Sequence, residues 1–372
     1  TAVLAGTPPD IAQIAQPAAM RQYAAEDNIL DMTEWLDTER FQADFGPGAV
    51  GYVGGRLMAV PYKADIKSNV YYPKQAFEAA GYEIPTTWDE LVALTDQIIA
   101  DGNGSPWCIS MEHGGVTGWV GTDWIEDVML RTVPPETYEA WTIGELPFDS
   151  PEVRNAFDIV GDIWFKEGSA YGGPTYINST WVGQTMDPMF GESGDATNPQ
   201  CWMHKQALWY GPGFWPDFRA ESASDPDYET PYALGEVIDV FALPPIDPEL
   251  GNPVLYAGDV FMTFNDRPEV RAVAQFLATP EGLQAWIERK GVTSANVNTP
   301  SDWYVGSFNT EKAAEIIGNS TGLVFDGGDL MPVPVGSGSF WTGMVNWVDA
   351  NGENTDEVLK SIDAAWPADE AE

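Results

Sequence analysis

Short apolar runs stopped by proline or glycine alternate with amphipathic stretches along almost the whole chain, and this alternation limits the fold more than any other feature. Ile11–Ile14, Leu57–Val60 (ended by Pro61), Lys67–Tyr72, Trp107–Met111, Ile238–Leu243 (stopped by Pro244 and Pro245) and Val260–Phe264 read as strands. Between them, helical spacing covers 17–26, 73–80 (closed by Gly81), 88–100, 124–131, 151–167, 268–278, 280–289, 310–318, 340–350 and 355–365. Thr87 three residues before Glu90 is a capping box opening the helix at 88, and Gly102 ends it. Thr33 caps a turn, and 171–218 reads as an aromatic, loop-rich stretch. Alternating strands and helices predict an α/β architecture with largely parallel sheets. The 372 residues suggest about two domains. No internal repeat or low-complexity linker separates them.

Charge decides which partners suit such a chain. Lys and Arg number 17 against 57 Asp and Glu, a formal net charge of −40. That surface repels phosphate backbones and anionic lipid heads, so nucleic acid and membrane surfaces are disfavoured. No apolar run approaches the roughly 18 residues of a membrane span. Neutral and cationic partners remain, and a sugar is favoured by the aromatics. Sixteen Trp, with 14 Tyr and 16 Phe, exceed what a core needs, and such rings stack on pyranose faces.

Catalytic and metal chemistry have little material. The two histidines, His113 and His204, are too few for a histidine-based triad or metal centre, and no cofactor is expected. Cys108 and Cys201 lie far apart with no neighbour at metal-ligand spacing. They read as a disulfide in an exported protein or as two buried thiols.

Ordered motifs then carry a resemblance. Gly6-Thr-Pro-Pro-Asp-Ile-Ala, Gly55-Arg-Leu-Met-Ala-Val-Pro, Val70-Tyr-Tyr-Pro-Lys and Ile84-Pro-Thr-Thr-Trp-Asp-Glu-Leu follow one another. After them come Phe241-Ala-Leu-Pro-Pro, the block Gly258–Leu277 with Pro280-Glu-Gly, Phe325-Asp-Gly-Gly-Asp-Leu-Met-Pro and Gly338-Ser-Phe-Trp. The set resembles the family 1 extracellular solute-binding proteins of ABC sugar importers. Trp107-Cys-Ile, Gly118-Trp, Thr122-Asp-Trp-Ile-Glu and Cys201-Trp-Met-His-Lys-Gln-Ala resemble the α-glucoside-binding subgroup, relatives of maltose-binding protein.

The resemblance implies a two-lobe periplasmic-binding-protein-like fold with a hinge and a ligand cleft between the lobes. Lobe one would comprise 1–64 and 258–308, and lobe two 66–257 and 309–372. Thr1 enters directly upon Ala-Val-Leu-Ala-Gly, so a strand and helix of lobe one are expected upstream. The implied function is capture of an α-glucoside or similar small oligosaccharide for a membrane permease. The protein would act as a monomer, in the periplasm or otherwise outside the cytoplasm, without catalysis. A glycoside hydrolase and a lectin-like module are the competing readings.

Family mapping names the candidate ligand residues. Trp341, after Gly336-Ser-Gly-Ser-Phe, is the expected stacking platform. Asp65 and Asp259 stand at two chain crossings as hydroxyl acceptors, although Asp65 could instead pair with Lys63 or Lys67. Trp119 is expected in a loop between Gly118 and Gly121. One of Phe214 and Trp215 is expected to stack, and Tyr210 is a further candidate. Trp35, Trp88, Trp164, Trp286 and Trp366 read as core, Trp124 likewise, and His204 and Lys205 as strand-surface residues.

Overall fold

The computed structural model describes residues 2–3, 5–45, 50–225, 228–289 and 292–368. Two compact units emerge, Thr1–Asp65 with Tyr256–Glu311 and Ile66–Leu255 with Lys312–Glu372. The chain therefore crosses three times, at 65/66, 255/256 and 311/312. Among the described residues, no helix is long and apolar enough to cross a membrane.

In the first unit, strand Val260–Thr263 lies between Ile11–Ile14 and Val60–Pro61. Both pairings are antiparallel, with Ile11 opposite Thr263 and Val260 opposite Pro61. Strand alternation sends its side chains to opposite faces. Val260 and Met262 join Met20, Ala24, Ile29 and Met58 on one side, and Phe261 joins Met32, Phe41, Leu57 and Ala274 on the other. Helices Pro17–Ala25, Thr38–Phe45 and Pro268–Leu277 supply these partners. The helix at 38–45 is additional to the sequence reading.

The second unit is built on four strands in the order Ser105–Trp107, Cys201–Lys205, Asn69–Pro73, Ile238–Ala242. Here the expectation of largely parallel sheets is corrected. Ser105–Trp107 runs parallel to Cys201–Lys205, but Asn69–Pro73 is antiparallel to both of its neighbours, and the first-unit pairings are antiparallel too. The crossings supply the reason. A strand carrying the chain into a unit lies beside one carrying it out, so Asn69–Pro73 runs opposite to Ile238–Ala242. His204 and Lys205 are likewise corrected. Their strand is interior to the sheet, and all five of its residues are buried.

Helix Trp88–Asp101 has the capping box in place, Thr87 accepting from the Glu90 N–H while Glu90 accepts from the Thr87 N–H, and it ends at Gly102 with φ +67°. Helix Trp119–Thr132 is enclosed, every residue from Val120 to Arg131 being buried. Trp124 meets Trp107 edge-on at 5.1 Å and Trp164 at 5.8 Å, and Trp164 continues to Trp347. Much of the tryptophan excess is therefore core. Trp286 departs from that expectation at 41% exposed. The 171–218 stretch is more ordered than expected, holding helix Gly173–Ser179 and strand Cys201–Lys205. Cys201 is bonded to Cys108 with Cα atoms 5.4 Å apart, tying that strand to the segment after Trp107.

Candidate functional site

Two clusters, one per unit, gather the residues singled out from sequence. In the first unit, the Lys63 ammonium lies 3.2 Å from Asp65 and 3.5 Å from Asp259. The Gln13 side-chain amide donates to the same Asp259 carboxylate. Burial works to lower the Lys63 pKa, but Asp65 and Asp259 outweigh it and the pKa is raised. Asp65 and Asp259 thus meet through Lys63, and these side chains remain 13–20% exposed. Gln13 had no sequence signal beyond its place on the strand Ile11–Ile14.

The second unit presents aromatic rings. Trp119 is corrected from a loop residue to the first residue of helix Trp119–Thr132. Gly118 before it has φ +115°, and a Cβ there would lie 2.3 Å from the Trp341 carbonyl oxygen. Only glycine permits both the conformation and the approach. Trp119 and Trp341 are thereby brought together. The Trp119 indole N–H donates to His113 Nδ1 at 3.0 Å, and the Lys67 ammonium sits 5.6 Å from its ring centroid. From Trp119 a row of rings continues through Trp209 (6.0 Å) and Phe214 (5.3 Å further) to Trp181 (6.3 Å further). Trp119, Trp209 and Phe214 are half-buried, and Trp181 is 38% exposed.

Burial separates the remaining candidates. Tyr210 and Trp215 are both 0% exposed, so of the three candidate rings Tyr210, Phe214 and Trp215 neither of these presents an open face. Tyr210 stacks flat beneath Phe214 at 4.9 Å and abuts His204, while Trp215 packs on Phe190. Phe214 is the member of its pair with an open face. Trp341 is 8% exposed and follows a π-helical turn, Val335–Phe340, a local geometry frequent at functional sites. Trp181 and Trp209 carry more of the exposed ring surface than the sequence suggested. Both stood in the aromatic stretch 171–218 that the sequence analysis read as loop-rich.

Beneath the rings lies a buried ion network that sequence reasoning missed. Lys67 bridges Asp123 at 2.8 Å and Asp326 at 2.6 Å. Lys205 and Arg131 both bind Asp127 at 2.7 Å, and Ser68 donates to the same carboxylate. Burial would raise the Asp127 pKa, but Lys205 and Arg131 outweigh it and hold it low. Asp123 is pushed by burial up to about 7 against the pull of Lys67. The signal was present in Asp123, Glu126, Asp127 and Arg131, at helical spacing on one otherwise apolar helix. Among the described residues, no group of three or more His, Cys, Asp and Glu could hold a metal ion.

Comparison with known proteins places this arrangement. Residues 1–284 match the family described as bacterial extracellular solute-binding protein. The chain is 37% identical over 381 residues to the alpha-glucosides-binding periplasmic protein AglE of Rhizobium meliloti, covering 97% of this chain and 76% of that one. It is 36% identical over 364 residues to the osmoprotective compounds-binding protein GgtB of Synechocystis, covering 97% and 81%. Among solved structures, the solute receptor AcbH has a TM-score of 0.76 at 17% identity, covering 98% of this chain and 86% of that one. A chitin oligosaccharide binding protein has 0.75 at 18%, covering 98% and 84%.

Proposed function

Because the chain belongs to the bacterial extracellular solute-binding proteins, we propose that it captures an α-glucoside, or a related small neutral glycoside that serves as an osmoprotectant, and presents it to the permease of an ABC importer. It is a binding protein rather than an enzyme, as its family is. The observation that carries the ligand class is the row of rings Trp119, Trp209, Phe214 and Trp181. Indole and phenyl faces stack on the C–H faces of pyranose rings. His113 adds a donor, since its Nδ1 accepts from Trp119 and the proton of the neutral ring is therefore on Nε2. The Asp65, Asp259 and Lys63 cluster supplies the charged partners that hydroxyl groups prefer.

Four side chains are proposed as direct contacts in the second unit, namely Trp341, Trp119, Phe214 and Trp181, and two in the first, Asp65 and Asp259. A neutral ligand is the reading we favour, because the charge of −40 disfavours anions and the aromatic row suits a pyranose face. We place the protein outside the cytoplasm, in the periplasm or its equivalent, acting as a monomer.

A thermal-shift screen over maltose, trehalose, sucrose and glucosylglycerol tests the reading. A ligand that binds only the folded chain raises its melting temperature, by about 2.7 kcal/mol of added stability at a hundredfold excess over Kd. One or more of these sugars is expected to do so without glucose release. No shift with any of them would overturn the ligand class, and sustained hydrolysis would overturn the non-catalytic role.

A further inference from the structure

The buried network of the second unit contains more acids than cations. Asp123, Glu126, Asp127, Asp326 and Asp329 are each at most 8% exposed, as are the cations Lys67, Lys205 and Arg131. Arg131 and Lys205 are both salt-bridged to Asp127. Lys67 is left to face the other four carboxyl groups. Burying an unneutralised carboxylate costs several kcal/mol, and a group so placed takes up a proton instead.

Glu126 is the group in that position. It is 0% exposed, and among the described residues no ammonium or guanidinium lies within salt-bridge distance of it. Its oxygens accept from the Gly327 N–H at 2.8 Å and the Gly328 N–H at 3.0 Å. A Cβ at Gly328 would lie 2.8 Å from Glu126 Oε1 and 3.5 Å from Asp326 Oδ1, so both carboxyl groups border the same glycine. Asp326 is suited to be the anion of the two, because it accepts from Lys67 and from the Asp329 N–H.

The other titratable groups acting on Glu126 are Asp329 from the same turn, Lys67, Asp123 on its own helix, and Tyr138 from helix Pro135–Thr142. Helix Pro151–Trp164, packed against that helix, buries apolar residues only. The two backbone donors alone would favour the anion. Burial, with Asp326 and Asp123 adding to it, outweighs them and holds the Glu126 pKa well above the usual carboxylate range.

We propose that Glu126 is a positioning residue, kept protonated in the folded chain beside the Asp326 carboxylate, whose contacts with the Gly327 and Gly328 N–H groups fix the turn Gly327–Leu330 and through it the segment that delivers Trp341. The mechanical link is close packing. A Cβ at Gly336 would lie 1.9 Å from the Gly328 carbonyl oxygen, so the π-helical turn rests directly on the pinned one. Gly118, with Trp119 after it, then rests on Trp341. Ionising Glu126 sets a second full charge against Asp326 and loosens this stack. The folded chain holds a proton that the unfolded chain releases, so the stability it confers falls as pH rises through the folded value.

The consequence for sugar binding rests on the ligand reading above; the buried proton does not, and the experiment separates them. Infrared spectra of the ligand-free protein are compared at pH 8 and above, where Asp123 (about 7) is largely ionised. Wild type is expected to show a protonated-carboxyl band at pH 8 that Glu126→Gln lacks. In Asp326→Asn the band should vanish at a lower pH than in wild type, because the neighbouring charge is gone. The melting temperature of wild type should fall from pH 8 to 10.5 more than that of Glu126→Gln. Affinity for whichever panel sugar gives the largest thermal shift should fall in step with loss of the carboxyl band in wild type and change under twofold in the variant over the same range. No carboxyl band at pH 8, a band retained in Glu126→Gln, or identical melting profiles would overturn the proposal. If no sugar binds either protein, the ligand reading fails, and the band and melting profiles still decide this one.

Discussion

The two units hold charge in opposite ways. In the first, Lys63, Asp65 and Asp259 keep 13–20% of their side chains in solvent, and Gln13 shares the acceptor. In the second, Asp127 and Arg131, on a helix buried all round, and Lys205, on the neighbouring strand Cys201–Lys205, are withdrawn to 0–1%. A part-solvated cluster can exchange partners at low cost, which suits groups that must release one another to take sugar hydroxyls. A dry cluster cannot, because separating its members leaves a bare charge in a low dielectric. The first arrangement is therefore suited to contact and the second to scaffolding.

The largest expected effect tests the dry side. Asp127→Ala strands Arg131 and Lys205 without their shared carboxylate, and breaking such a buried pair costs about 3–5 kcal/mol. Urea unfolding should register that loss. A change below about 1 kcal/mol would mean that water reaches the network and that the contrast between the units is false.

Next in size is an acid effect. His204 is buried with its pKa lowered by burial from 6.5 to about 3, its Nδ1 against the Cys108 carbonyl. Below pH 6.5 the unfolded chain takes a proton there and the folded chain does not. Its contribution to stability is full above 6.5 and declines toward 3, by on the order of 2 kcal/mol on reaching about pH 4.5. Asp123 and Glu126, with raised values, act in the opposite direction and strengthen the fold in acid. The difference between wild type and His204→Gln isolates the histidine. If both lose stability in parallel between pH 6.5 and 4.5, His204 is not held neutral.

Much of this organisation was legible in the chain. The capping box at Thr87 and Glu90 and the glycine stop at 102 are local devices, and local devices survive folding. The ordered motifs gave the family, and with it Trp119 and Trp341 as separate candidates, whose adjacency only the structure showed. Strand direction was not legible, since it depends on which crossing lies beside which. Nor was exposure within the Gly211–Trp215 run. Adjacent Phe214 and Trp215 differ only in that one rests on Tyr210 with a face open and the other is enclosed against Phe190. The ion network was hidden by abundance. Among 57 acids, the helical spacing of three on one apolar helix gains its meaning only once that helix is seen to be buried.

A smaller effect tests the aromatic side. Trp119→Ala removes the ring that begins the row and the His113 partner with it. By analogy with bases stacked on aromatics, about 1–3 kcal/mol of sugar affinity should be lost, roughly 5- to 150-fold in Kd. Stability should suffer less than affinity, because Trp119 is half-buried rather than core. Trp341→Ala is the contrasting variant. At 8% exposed it should cost several kcal/mol of stability as well. Calorimetry on the folded fraction of each separates the two losses, and unchanged affinity in Trp119→Ala would remove the row from the site.

The smallest stability change belongs to the first unit and completes the contrast. Lys63→Met removes the ammonium between Asp65 and Asp259 while keeping most of the apolar stem. Part-exposed pairs of this kind contribute about 0.2–1 kcal/mol, so unfolding should barely move. Two carboxylates lose their shared cation, yet solvent and the Gln13 amide remain to receive them. Sugar affinity is where the variant should register. If Asp65 and Asp259 accept hydroxyls only when the Lys63 bridge positions them, Kd should rise severalfold while urea unfolding stays within about 1 kcal/mol of wild type. The reverse pattern, an intact Kd with stability lost by several kcal/mol, would make this cluster a structural ion pair like that of Asp127. The two units would then differ in solvent exposure alone and not in role.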